Sequence, residues 1–373
     1  MKRNKVGVIL GLVLALLLAV ACTPQNSTTA ESSSSAATEA SASAEQSTTE
    51  QSAAEKSAAS SEKSTAEASA SEASTSESSS SAAAGKVRLM ALNGPTGIGM
   101  AKLTENDAYD VRFAGAADEV VSAVSSGSVD IAAVPSNLAS TLYNKTQGGV
   151  QMIAVNTYGS LYLLERGETV SSLADLSNKH VYATGAGANP QYIFEYLLTQ
   201  AGIDLTSGVE IEYLPEHSEL AALVASGEAE LALLPEPFVS VAKAKAGEDV
   251  RVALNMGEVW NSTTGSELAM GCVIVRTDFA AENSEAVEQF LSDLAASVEY
   301  TSQDVAGAAQ LCADLGILPN AQVAAAAIPQ CSLVCVTGAD ARSAVENYLG
   351  VLLESNPKSV GGALPQDDFY YQK

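Results

Sequence analysis

The chain has 373 residues, with 44 Asp and Glu against 19 Lys and Arg and a formal net charge of −25 at pH 7. A field of that sign repels nucleic acid and anionic lipid headgroups, which argues against both as partners. It suits solubility outside a cell and leaves the sign of a small ligand open, since a pocket can differ locally from its surroundings. Beyond Cys22, the cysteines Cys272, Cys312, Cys331 and Cys335 are scattered through a long domain. Cys331 and Cys335 lack the two further Cys or His ligands that a zinc site needs nearby. The four read as small buried hydrophobes or one disulfide, and no metal or other cofactor is implied.

Taken from the N-terminus, Lys2, Arg3 and Lys5 precede an apolar stretch from Val6 to Val20, and Ala19-Val20-Ala21-Cys22 sets a cysteine directly after small residues. This resembles a lipoprotein export signal with a lipobox, cleaved after residue 21 and lipidated on Cys22. The apolar run is shorter than the ~20 residues of a spanning helix, and Ala19 stands where leucine is more usual. Removing three basic residues with the signal leaves −28 on the mature chain. Residues 22–85 are almost wholly Ser, Ala, Thr, Glu and Gln, too poor in apolar side chains to offset the entropy of ordering. They read as a disordered tether, a chain of about 60 residues with a reach on the order of 45 Å. A glycosylated or wall-crossing stalk would have the same composition.

From residue 86 on, two segments repeat. VVSAVSSGSVDIAAVPSNLAS, from Val120, aligns with LAALVASGEAELALLPEPFVS, from Leu220, setting Ser126-Gly127 on Ser226-Gly227 and Pro135 on Pro235. Each copy predicts a helix stopped at the glycine, a buried strand, and a proline that ends the strand. Upstream of each copy a strand enters a glycine-rich loop, Val87–Leu92 before residues 93–99 and His180–Ala183 before residues 184–190, and helical spacing resumes after both. The pattern predicts an α/β fold with two lobes facing each other, each a mostly parallel sheet flanked by helices. One continuous doubly wound domain is the alternative. Two amphipathic helices follow, carried by Val287, Phe290, Leu291, Leu294 and Val298 and by Val345, Tyr348, Leu349 and Leu352. Their return to the first lobe gives a division of 86–170 and 276–373 for lobe 1 and 171–275 for lobe 2.

With these runs in view, the chain resembles the solute-binding proteins of ABC importers, in the NitT/TauT-type group of nitrate, alkanesulfonate and thiamine-pyrimidine-precursor binders. The resemblance rests on NGPTGIGMAKL from Asn93, SGSVDIAAVPSN from Ser126, ATGAGANPQYIFEYLL from Ala183, ASGEAELALLPEPF from Ala225 and AIPQCSLVCVTG from Ala327. It implies a periplasmic-binding-protein-like fold whose two lobes close on a small molecule in a ligand cleft between them, and a monomer that delivers it to an ABC permease driven by an ATPase, touching the membrane only through its lipid. It also implies a pocket drawn from Asn93, Pro95, Thr96 and Gly97, Ser136 and Asn137, Tyr158 and Gly159, Gly185 to Asn189 (with Ala186, Gly187 and Ala188), and Glu236. Glycines admit backbone N–H groups to a ligand, and the helix N-termini after each loop suit an anion or a carbonyl oxygen. Trp260 lies in a stretch that reads as a loop, where it either stacks on a planar ligand or serves packing.

The mapped loops hold no Arg or Lys, so a sulfonate would rest on backbone dipoles and hydroxyls. Glu236 points instead to a ligand with an N–H donor, or only caps a helix. A sulfonate, a nitrate-like anion and a small heterocycle therefore all stay open. Gly185-x-Gly187 lacks the third glycine of a dinucleotide turn, and residues 94–99 lack the Gly-Lys-Ser/Thr ending of a phosphate loop. Two other functions compete. An enzyme on this fold, resembling menaquinone-pathway dehydratases, would use Glu236 or Asp118 as acid or base. An adhesive or structural surface lipoprotein would have no use for the paired glycine loops.

Overall fold

The computed structural model describes residues 85–372. The export signal, Cys22 and nearly all of the tether lie outside the described residues. The elements in chain order are β1 (Val87–Leu92), α1 (Pro95–Ile98), β2 (Tyr109–Ala114), α2 (Ala117–Ser125), β3 (Ile131–Pro135), α3 (Ser136–Thr146), β4 (Val150–Thr157), β5 (Leu161–Arg166), β6 (His180–Thr184), α4 (Asn189–Gln200), β7 (Glu210–Leu214), α5 (His217–Ser226), β8 (Leu231–Pro235), α6 (Phe238–Ala246), β9 (Val250–Asn255), α7 (Met256–Thr264) and β10 (Gly271–Arg276). The C-terminal part adds α8 (Thr277–Glu282), α9 (Ser284–Gln303), α10 (Val305–Asp314), α11 (Ala321–Ala327), β11 (Leu333–Val336) and α12 (Gly338–Ser355).

These strands form two sheets, ordered β11-β4-β10-β3-β1-β2 and β7-β6-β8-β5-β9. The repeat found in the sequence is the centre of each: β3 (IAAVP) and β8 (LALLP) are continuous apolar runs, buried from their first residue up to the closing proline. In the helix before each strand the last turn closes on a glycine with positive φ, +70° at Gly127 and +86° at Gly227. A side chain at Gly127 would also force an arginine to move, and one at Gly227 would press closely on another. An added Cβ would lie 2.3 Å from Arg276 Nη1 at Gly127 and 3.3 Å from Arg166 Nε at Gly227. These arginines end β10 and β5, so the internal repeat includes a strand that sequence comparison did not reach.

Most strands of each sheet point one way, as expected, but both sheets are mixed, with β10 and β11 reversed in the first and β5 in the second. β1 runs parallel to β2 and β3, and β6 to β7 and β8, but β5 is antiparallel to β8 and β9, and β10 is antiparallel to β3 and β4. The reason is the crossing between lobes. β4 ends at Thr157 at the carboxyl edge of the first sheet, and residues 158–160 carry the chain to the carboxyl edge of the second, so β5 must run back down. β10 makes the reverse trip. The division drawn at residues 170 and 275 is corrected accordingly, because β5 belongs to the second sheet and β10 to the first.

Helix α9 buries Val287, Phe290, Leu291 and Leu294 against one face of the first sheet, sharing a core with Leu89, Ile131 and Val273. Helix α12 buries Val345, Tyr348, Leu349 and Leu352 in a core that also takes Phe194 and Leu197 of α4, so it reaches the second lobe as well. The four described cysteines are free, three of them fully buried in apolar surroundings. Among the described residues no helix is long and apolar enough to cross a membrane.

Candidate functional site: a cleft between the sheets

A cleft of about 420 Å³ opens where the carboxyl edges of the two sheets face each other. Six helices begin at its wall: Pro95 and Thr96 of α1, Ala117 of α2, Asn137 and Leu138 of α3, Asn189 and Pro190 of α4, His217 of α5 and Phe238 of α6 all line it. The N-cap positions are Gly94, Ala116, Pro135, Ala188, Glu216 and Pro237, and none makes a side-chain capping bond. Away from the cleft the helices divide evenly, with α8, α9 and α12 also lacking a side-chain cap. Asn255, Asp304 and Asn320 cap α7, α10 and α11 through their side chains. Uncapped first turns leave backbone N–H groups and the positive end of the helix dipole for something else to satisfy.

The side chains complete a mostly apolar wall. Among the described lining residues there is no Lys or Arg. Asn189 is 7% exposed, and its amide oxygen has no partner among the described residues. His217 holds Thr184 through Nδ1 at 2.6 Å, with its ring 5.0 Å from that of Phe238. Burial pushes its pKa down, so the imidazole is neutral at pH 7.

Glu236, 2% exposed, is the one carboxylate on the wall. Its Oε2 accepts from the Ser240 N–H at 3.1 Å and its Oε1 from the Ser240 hydroxyl at 3.0 Å, so it closes the first turn of α6 as well as facing the cleft. Burial raises its pKa to about 7 against the opposing pull of Ser240 and Lys243. A carboxyl whose folded pKa lies above its unfolded one stabilises the fold while protonated, and that stability is lost as pH rises from the unfolded value toward 7. Glu236→Gln should therefore stabilise the ligand-free protein at pH 8 by on the order of 2 kcal/mol, read as a higher melting temperature, and by much less at pH 5. An equal effect at both pH values would show that the carboxyl is not protonated on folding.

Of the residues expected at the pocket, Asn93, Pro95, Thr96, Asn137, Ala188, Asn189 and Glu236 line the cleft. The others are placed elsewhere. Gly97 sits behind the wall, where a Cβ would come within 2.5 Å of the Leu92 carbonyl as α1 turns tightly off β1. Ser136 is fully buried, its N–H given to the Met270 carbonyl at 3.0 Å. Gly185, Ala186 and Gly187 form the outer turn before α4, and the Gly187 N–H is taken by Gln191 Oε1 at 2.6 Å. Tyr158 and Gly159 face a different hollow with Gly257 and Glu258, because the crossing there is so close that a Cβ on Gly159 would lie 2.6 Å from Gly257 Cα. Trp260 is not in a loop. It lies in α7, fully buried, with ring centroids 5.3 Å from Tyr196 and 5.8 Å from Tyr348. Asp118 is exposed in the first turn of α2 and does not line the cleft.

Sequence reasoning missed His217, Phe238, Thr157 and Ser160. Carried backwards, the repeat sets His217 on Ala117, and both residues open a helix at the cleft. That alignment was the available signal for the histidine.

A family model described as ABC transporter, phosphonate, periplasmic substrate-binding protein matches residues 109–317, more than half of the chain. The protein belongs to this family of extracytoplasmic components that capture a small solute for an ABC permease. Among curated proteins no sequence matches it significantly. Among solved structures it resembles an ABC transporter protein from Parabacteroides distasonis, at TM-score 0.66 and 23% identity, covering 77% of this chain and 99% of that one. It also resembles the periplasmic aliphatic sulphonate binding protein from Escherichia coli, at TM-score 0.63 and 18% identity, covering 78% and 93%. A desulfurization enzyme, DSZB, shares the fold at TM-score 0.52 and 11% identity, covering 76% and 96%.

Proposed function

We propose that the cleft captures a small organic oxyanion, a sulfonate or phosphonate with a short apolar tail, and that the protein is a NitT/TauT-type binder. In this reading it is a monomer held outside the cytoplasmic membrane by lipid on Cys22 and delivers its cargo to the permease. The observation that carries the reading is the set of uncapped helix N-termini. Four of the six helices that begin at the wall, α2 to α5, are nine residues or longer and have no side chain closing their first turns, which offer N–H donors where no arginine or lysine competes; Glu236 closes the first turn of α6. Asn93, Thr96, Asn137, Ala188 and Asn189 surround the anionic head, and Leu138, Phe238 and Met270 take the tail. A matching family of phosphonate-type binders and a similar fold in a sulphonate binder support the ligand class.

Calorimetric titration of the purified full-length protein with ethanesulfonate and methylphosphonate tests the reading, with tetramethylammonium as the cationic control. Binding of either anion should stabilise the fold by about 2.7 kcal/mol at a hundredfold excess over its dissociation constant. Binding of the cation alone would reverse the assignment. The chain is read as a binder and not an enzyme, so bound ligand should be recovered unchanged by mass spectrometry.

A further inference from the structure

Glu236 stands between two spaces. On one side is the cleft; on the other is a chamber of about 720 Å³, lined by Tyr162, Ser240, Lys243, Asn255, Glu258 and Gln330 among others. The chamber lies between the second lobe and the segment that follows α10, where the Tyr162 hydroxyl donates to the Gln330 carbonyl at 2.6 Å. Its wall carries the polar groups of Ser240, Lys243, Asn255, Glu258 and Gln330, which suit water behind the buried carboxyl.

That placement creates a conflict of charge. An oxyanion seated on the first turns of α3 and α4 would share a poorly solvated space with a carboxylate, and two like charges so placed cannot both stay ionised without loss of affinity. The surroundings do not neutralise Glu236 in another way. Lys243 and Ser240 on α6 are the groups that favour its ionised form, while Tyr162 on β5, Glu258 on α7, His217 on α5 and Cys331 beyond α11 bring no positive charge at pH 7.

We infer that Glu236 is a specificity-determining residue that takes up one proton from solvent as the cleft closes on an anion, so that ligand and proton are held together and released together. No bond of the ligand breaks, and the proton passes from water in the chamber to a carboxylate oxygen. The inference rests on the oxyanion reading of the cleft. The near-neutral pKa of this carboxyl agrees with it, since protonation then falls within the range a surface protein meets.

Ethanesulfonate is the suitable probe, because it stays fully ionised across the range. Its dissociation constant, measured on the full-length protein from pH 5.5 to 8.5, should rise about tenfold for each pH unit above 7. Glu236→Gln should remove that slope and bind about tenfold tighter than the natural protein at pH 8. If that variant fails to fold, binding enthalpies of the natural protein at pH 8 in buffers of differing ionisation heat give the proton count directly, with one proton taken up expected. Binding without pH dependence or proton uptake would overturn this inference and leave the anion site standing. Affinity that rises with pH would also overturn it, showing an ionised carboxylate paired to a donor on the ligand. Failure of every oxyanion to bind at any pH would remove the site and the inference together.

Discussion

Replacing Ala188 by Asp should strengthen the fold and at the same time weaken anion binding about a hundredfold. Ala188 is the N-cap of α4, with the extended backbone, φ −130° and ψ −178°, that an Asp cap requires, and no capping bond. An aspartate there can accept the N–H of Gln191 and complement the helix dipole, which is worth about 1 kcal/mol, or a rise of about 2–4 °C in melting temperature. The same carboxylate would occupy the donors offered to the ligand and repel its charge. An ethanesulfonate dissociation constant raised about a hundredfold, equivalent to roughly 2.7 kcal/mol, is expected. Opposite signs for stability and affinity are the mark of a helix end reserved for cargo. If the variant gained stability and bound as before, the start of α4 would not touch the ligand.

The second large effect concerns Trp260. Its ring is fully buried between Tyr196 of α4 and Tyr348 of α12, so it joins the second lobe to the helix that closes the first. Truncation to Ala leaves a cavity in tightly packed aromatic surroundings and should cost about 3–5 kcal/mol. For a domain of this size that lowers the melting temperature by roughly 6–20 °C. Trp260→Phe, which keeps most of the volume, should lose far less. A ligand-stacking tryptophan would behave in the reverse way, with binding lost and melting unmoved. Calorimetric scanning of both variants, with and without ethanesulfonate, separates the two roles.

Much of the fold was legible because the two lobes use one pattern. Gly127 and Gly227 mark the same helix end and Pro135 and Pro235 the same strand end, and the cleft follows from the turns beyond those prolines. Strand direction was not legible. Nothing in the apolar runs Leu161–Arg166 and Gly271–Arg276 distinguishes a strand that crosses between lobes from one that stays. Trp260 was misread because Asn-Ser-Thr-Thr-Gly has the composition of a turn, whereas Asn255 starts a helix there by accepting from the Gly257 and Glu258 N–H groups, and Gly265 ends it. The most telling signal at the cleft was negative. Ala and Pro at positions 116, 135, 188 and 237 are poor caps, and four poor caps before helices that meet at one wall are a pattern a sequence can display.

The position of β10 bears on how the molecule is put together. Every strand of the second sheet lies between residues 161 and 255, so that sheet can be complete before Gly271 leaves the ribosome or the export channel. The first sheet has no such independence: β3 and β4 meet only through β10, and until that strand arrives each presents a bare apolar edge. During vectorial synthesis the younger half of the molecule thus matures ahead of the older, and the waiting edges are where self-association would begin.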